Sequence, residues 1–138
     1  MRIADITRWA VPVALLLAVT TTPTAANADH NYNCAGAHAI PATVPWTGTV
    51  GPDDPDDWYY HNAFPLPIHT YTLHSYGGDA DLKIWSGCPG AGGSVLCSST
   101  KAGQAADECT VVGTGVHYIQ VYYYSGGTVA YHLQTSNP

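Results

Sequence analysis

Val116-His117-Tyr118-Ile119-Gln120-Val121-Tyr122-Tyr123-Tyr124-Ser125-Gly126-Gly127-Thr128-Val129-Ala130-Tyr131-His132-Leu133-Gln134 is the stretch that decides the fold class. In its first part, His117, Ile119, Val121 and Tyr123 fall on one side of an extended chain, and Val116, Tyr118, Gln120, Tyr122 and Tyr124 on the other. That two-residue period belongs to a half-buried strand. Ser125-Gly126-Gly127 predicts a tight return. From Thr128 to Gln134 the alternation resumes, with Val129, Tyr131 and Leu133 opposite Thr128, Ala130, His132 and Gln134. Together they predict an antiparallel hairpin whose core face is Ile119, Val121, Val129, Tyr131 and Leu133.

Working upstream, Asp79 to Trp85 alternates in the same way, Ala80, Leu82 and Ile84 inward and Asp81, Lys83 and Trp85 outward. Further strands are expected at Thr47 to Val50, Asp57 to His61, Ile68 to Ser75, Ser94 to Cys97 and Glu108 to Val112, with short Gly-, Pro- and Asp-bearing connections. No stretch past Ala28 holds a helical period. The class is all-β, and short strands at this spacing suit an antiparallel β-sandwich.

The N-terminus reads as a leader. Arg2 and Arg8 supply a basic head, Ala10 to Val19 an uncharged apolar run, and Ala26-Asn27-Ala28 a small-residue cleavage pattern. Residues 1–28 are therefore expected to be a signal peptide, 29–138 one domain, and the product secreted to the extracellular space. The apolar run is too short to span a bilayer, and no second one follows, so no membrane insertion is expected. Cys34 is preceded by Asn31-Tyr32-Asn33, not by the small residues of a lipoprotein signal.

The four cysteines, Cys34, Cys88, Cys97 and Cys109, all lie past the leader, as expected of two disulfides in an oxidising compartment. Three pairings are formally available. Pro89-Gly90-Ala91-Gly92-Gly93 can turn back tightly, which favours Cys88–Cys97 and leaves Cys34–Cys109. The chain carries a net charge of −6, and past the leader only Lys83 and Lys101 are basic. Nucleic acid and anionic lipid are excluded as partners, since both require a cationic surface.

Thr47-Gly48-Thr49-Val50, Asp54-Pro55-Asp56-Asp57-Trp58-Tyr59, Tyr71-Thr72-Leu73, Asp79-Ala80-Asp81-Leu82, Gly115 to Val121 and Gly127 to Leu133 follow one another in an order that resembles bacterial pre-peptidase C-terminal domains. The resemblance covers most of the chain past the leader. It implies a jelly-roll-like β-sandwich, usually appended to secreted hydrolases and thought to aid secretion, localisation or substrate binding. Relatives in clostridial collagenases bind collagen and calcium. Here no attached catalytic domain is expected, there are four cysteines, and His61 stands where an aromatic is usual, so the resemblance bears more on fold than on role.

Three constellations are candidates for chemistry. Asp53, Asp54, Asp56 and Asp57 occupy a Gly- and Pro-bearing loop, and the resemblance places Asp79 and Asp81 nearby. Calcium takes six to eight oxygens, and Asp54, Asp56, Asp57, Asp79 and Asp81 are the candidate set. The same aspartates also suit turns and strand ends, and both readings stand. The second constellation is an outward aromatic face of Tyr118, Tyr122 and Tyr124 with Gln120, His132 and Trp85, able to stack on sugar rings or on the prolyl rings of an extended peptide. It stands against a face covered by the N-terminal segment. The histidines show no H-x-H pair and read as scattered over the surface, with His117 on an inward face. No Gly-x-Ser-x-Gly turn or activated cysteine is present, and no enzymatic activity is expected. The expected function is a monomeric, non-catalytic binding module for an extracellular polysaccharide or matrix-like protein, calcium a candidate cofactor. The alternative is a secretion or stability accessory, or an inhibitor, acting on a partner hydrolase.

Overall fold

The structure, a computed structural model, describes residues 31–137; the proposed leader lies outside the described residues. After a short 3-10 turn at Cys34–Gly36, seven strands follow: β1 (His38–Ala39), β2 (Trp46–Val50), β3 (Asp56–Asn62), β4 (Ile68–Trp85), β5 (Val95–Ser99), β6 (Asp107–Val112) and β7 (Val116–Ser136). They form one sheet in the order β1-β3-β7-β4-β5, with β2 also on β7 and β6 also on β4. Every pairing is antiparallel except β1 on β3, which is parallel.

Two long strands generate the sandwich. β4 and β7 run antiparallel from Thr70↔Ser136 to Trp85↔Tyr118, with register shifts between Tyr76 and Gly78 and between Asp79 and Ala80. Before the bend, β4 carries β6 on one side and the second half of β7, followed by β2, on the other. Past it, β4 carries β5 on one side and the first half of β7, followed by β3 and β1, on the other. The sheet therefore folds over on itself into two layers, a jelly-roll-like sandwich made by bending rather than by separate sheets.

Glycine allows the bend. Gly78 faces Gly126 across the pair, and a Cβ on Gly78 would lie 2.6 Å from a Val129 methyl and 2.7 Å from the Ser125 carbonyl oxygen. Gly126 has φ +110°, which disfavours any side chain. The hairpin expected at Ser125-Gly126-Gly127 is thus not formed: the two halves of β7 do not pair with each other but lie in different layers, each against β4. For the same reason the strands expected at Ile68 to Ser75 and Asp79 to Trp85 are one strand.

Between the layers lies the core: Tyr59, Tyr71, Leu73, Leu82, Ile84, Ile119, Val121, Val129, Tyr131 and Leu133 are among its members. The alternation expected for Ala80, Leu82 and Ile84, and for Ile119, Val121, Val129, Tyr131 and Leu133, is observed, and each of these side chains is fully buried.

The disulfides are Cys34–Cys88 and Cys97–Cys109, not the pairing expected from the sequence. The turn between Cys88 and Cys97 does form, but backbone bonds close it: Ala91 N–H and Gly93 N–H donate to the Cys88 carbonyl, and Ser86 N–H donates to Ser94. Because β5 and β6 attach to opposite halves of the folded β4 on the same side, Cys97 and Cys109 meet across the open edge of the sandwich. Cys88 is left for Cys34, which ties the N-terminal segment to the turn after β4.

Candidate functional site

The outer face of the layer built from β3, β7 and β4 carries most of the aromatic residues singled out above. Register places side chains there in three rows: Asp56, Tyr122 and Asp81; Trp58, Gln120 and Lys83; Tyr60, Tyr118 and Trp85. A hydrogen-bonded line crosses them. Trp85 Nε1–H donates to Gln120 Oε1 at 3.2 Å, and Gln120 Nε2–H donates to Asp56 Oδ1 at 2.6 Å. The rings of Trp58 and Trp85 lie 6.1 Å apart, those of Tyr60 and Tyr118 6.3 Å apart, and Lys83 Nζ sits 4.5 Å from the centre of the Tyr122 ring.

Burial and the neighbouring Asp81 carboxylate push the Tyr122 phenol up to about 12, and burial raises the Asp81 carboxyl. Tyr122 is therefore a neutral hydroxyl between two carboxylates. The face offers aromatic rings, one amide, one ammonium and acidic oxygens, all fixed by mutual contacts. Such a surface can stack against a ring and bond its hydroxyls.

Exposure across it is uneven. Tyr118, Gln120, Tyr122 and Trp85 are half-buried and Trp58 is buried, whereas Tyr60 is exposed on the same face and Tyr124 is exposed at the glycine bend. The three tyrosines are not open to solvent together. The N-terminal segment runs along the edge of β3: Asn31 accepts from Trp58 N–H through its backbone carbonyl and donates its side-chain amide to the Trp58 carbonyl. His132 does not belong to the face. Because β7 bends, it lies in the other layer opposite His74, its ring 5.2 Å from Tyr76.

The five candidate calcium ligands are dispersed. Asp54 closes the turn into β3 through backbone bonds with Gly51. Asp56 accepts from Gln120, and Asp81 stands across Tyr122 from it. Asp57 points inward to the core, where Tyr131 O–H donates to its Oδ2. Asp79 is buried near the bend, with one oxygen unpartnered. Among the described residues, no three carboxylate, imidazole or thiol groups are arranged to hold a metal ion.

Not all the histidines are scattered over the surface. His61, His69 and His117 are buried, and Tyr71 Oη lies 2.6 Å from His117 Nδ1 and 3.1 Å from His61 Nδ1. The rings of His61 and His69 are 5.0 Å apart, those of His69 and His117 5.9 Å. Burial lowers His61 to about 4, reinforced by the two other imidazoles, and lowers His117 as well. This buried cluster departs from the expectation of scattered surface histidines, although His61 and His117 share the inward parity of Tyr59 and Ile119 and are cross-strand partners. Trp58, Tyr60 and Lys83 also belong to this face but not to the expected site; the available signals were the parity of β3 and, for Lys83, its outward alternation with Asp81 and Trp85.

No family model and no curated protein matches this chain. Among solved structures, the pre-peptidase C-terminal domain of a collagenase from Bacillus anthracis matches with a TM-score of 0.60 at 18% identity, covering 72% of this chain and 94% of that one. A periplasmic inhibitor of g-type lysozyme, PliG from Aeromonas hydrophila, matches with a TM-score of 0.47 at 13% identity, covering 72% and 96%. The first likeness bears out the expected fold: this chain has the architecture of a pre-peptidase C-terminal domain.

Proposed function

We propose that the protein is a secreted, non-catalytic binding module that holds a polysaccharide on the outer face of the β3–β7–β4 layer. The observation that carries this reading is the line from Trp85 through Gln120 to Asp56, flanked by paired aromatic rings. Hydrogen bonding among the polar groups fixes their positions before a ligand arrives, which limits the ordering cost of binding. Sugar rings present apolar faces to Tyr60, Tyr118 and Trp85 and hydroxyls to Gln120, Lys83 and the carboxylates. Two disulfides and the resemblance of the N-terminus to a leader support action outside the cell.

The test is depletion of the protein from solution by insoluble polysaccharides of different linkage, with fibrous collagen alongside. Tyr118→Ala and Gln120→Ala are expected to weaken retention on one polysaccharide class by tenfold or more, with thermal melts showing that each variant is folded. Retention on collagen alone, or retention that neither substitution alters, overturns the reading.

A further inference from the structure

Among the described residues, the end of the sandwich away from the glycine bend is apolar and carries no Asp, Glu, Lys or Arg. Phe64 is 72% exposed and Val112 77%, and Leu66, Ile68, Val116 and Leu96 are exposed beside them. Ile68 pairs with Val112 and Asn62 with Val116, Leu66 and Ile68 line one depression and Leu96, Val112 and Val116 another, and Ala63 N–H ties the loop of Phe64 to Gly115, so these residues share one end of the sandwich. No Asp, Glu, Lys or Arg occurs in 60–70, 84–97, 110–118 or 134–137, the segments that build this end. The acidic residues Asp53, Asp54, Asp56, Asp79 and Asp81 lie towards the opposite end, near the bend.

In the loop carrying Phe64 and Leu66, two of the three N–H groups and three of the five carbonyls of 63–67 are bonded within the protein. Ala63 N–H donates to the Gly115 carbonyl at 2.7 Å, and Phe64 N–H to Asn62 Oδ1 at 3.2 Å. Pro65 and Pro67 have no N–H to satisfy. His69 Nε2–H is shared between the Ala63 and Leu66 carbonyls, both at 2.8 Å, and Gly113 N–H donates to the Pro67 carbonyl at 2.7 Å. An ordinary surface loop leaves such groups to water. A segment entering hydrocarbon must satisfy them internally.

We infer that this end is a membrane-contacting tip, in which Phe64, Leu66 and Val112 enter the interfacial zone of an uncharged lipid surface while the acidic end points away. Among the described residues no helix is long and apolar enough to cross a membrane, so contact is shallow and reversible. With a net charge of −6, the chain prefers zwitterionic to anionic lipid.

The chain without residues 1–28 and its Phe64→Trp variant are mixed with phosphatidylcholine vesicles whose acyl chains are brominated. Quenching in the variant is expected to exceed that of the wild type, because the added indole replaces Phe64, among the most exposed apolar side chains of the tip, whereas Trp58 is buried and Trp85 half-buried. Phe64→Ser with Leu66→Ser is expected to weaken co-sedimentation with vesicles at least about tenfold, both side chains losing their apolar burial, with the melting temperature little changed. Replacing part of the lipid with phosphatidylglycerol is expected to weaken binding further. Equal quenching in wild type and Phe64→Trp, or undiminished sedimentation of the double variant, overturns the inference. So does concentration-dependent dimerisation without lipid that the double variant abolishes, which assigns the tip to a second copy of the chain.

Discussion

Asp57 enters the core at the start of β3 and accepts from the Tyr131 hydroxyl at 2.5 Å, while Tyr59 and Tyr131 share a hydroxyl contact of 2.5 Å. Desolvation pushes its carboxyl up to about 6, with Asp54 and Asp56 adding to the rise. A carboxyl raised on folding is stabilising below its unfolded pKa near 3.8, and that contribution is lost as pH rises through about 6. Asp57→Asn keeps an acceptor for Tyr131 and carries no charge, so its melting temperature is expected to exceed that of the wild type by several degrees at pH 8 and to match it near pH 4, as calorimetry at the two pH values will show. His61 works in the opposite direction: lowered to about 4, it withdraws stability as pH falls from its unfolded value near 6.5. Tyr71 holds His61 and His117 together with one hydroxyl, which donates to one imidazole and accepts from the other. Tyr71→Phe strands both Nδ1 atoms in the core and is expected to cost about 1–3 kcal/mol, measured by urea unfolding.

Elements here are defined by what they pair with as much as by their own pattern. At the bend, Gly78→Ala would press a methyl against Val129 and the Ser125 carbonyl, contacts that side-chain rotation cannot relieve. We expect a loss of about 1–3 kcal/mol in urea unfolding, from the backbone shift that overpacking demands. Gly103→Ala, at φ +71° with open space around it, is the comparison that isolates crowding from backbone strain. The same glycines explain what the sequence does and does not disclose. Period two identifies inward Leu82, Ile84, Ile119 and Val121 from local information alone, because parity needs no knowledge of the partner strand. A glycine pair that interrupts this period suits a hairpin and a folded strand equally, and only the pairing of both halves of β7 with β4 separates them. That same ambiguity places His132 on the tyrosine face by sequence and in the other layer by structure, whereas Tyr118, Gln120, Tyr122 and Trp85, on one side of the bend, share a face as their parity indicates. On β3 both parities carry aromatic residues, Tyr59 with His61 and Trp58 with Tyr60, so composition did not show which side Asp57 takes.

At the scale of the whole molecule, two disulfides close the sandwich in different ways. Cys97–Cys109, with a sequence separation of 12, staples the edge where β5 and β6 come together. Cys34–Cys88, with a separation of 54, ties the segment that clasps Trp58 through Asn31 to the turn after β4. Loop-closure entropy alone gives about 3 kcal/mol for the shorter loop and about 4 kcal/mol for the longer. The structural consequences differ more than these figures. Opening the short loop leaves β5 and β6 still paired to β4, whereas opening the long one frees the N-terminal segment to leave β3. Replacing Cys34 and Cys88 with Ser is therefore expected to cost about 4 kcal/mol in urea unfolding and to shift tryptophan emission to the red before global unfolding, as Trp58 meets water. The Cys97→Ser, Cys109→Ser variant is expected to unfold in one step, with no early shift. An early red shift in neither variant would show that the clasp on Trp58 holds without its disulfide, through Asn31 and the pairing of β1 with β3 alone.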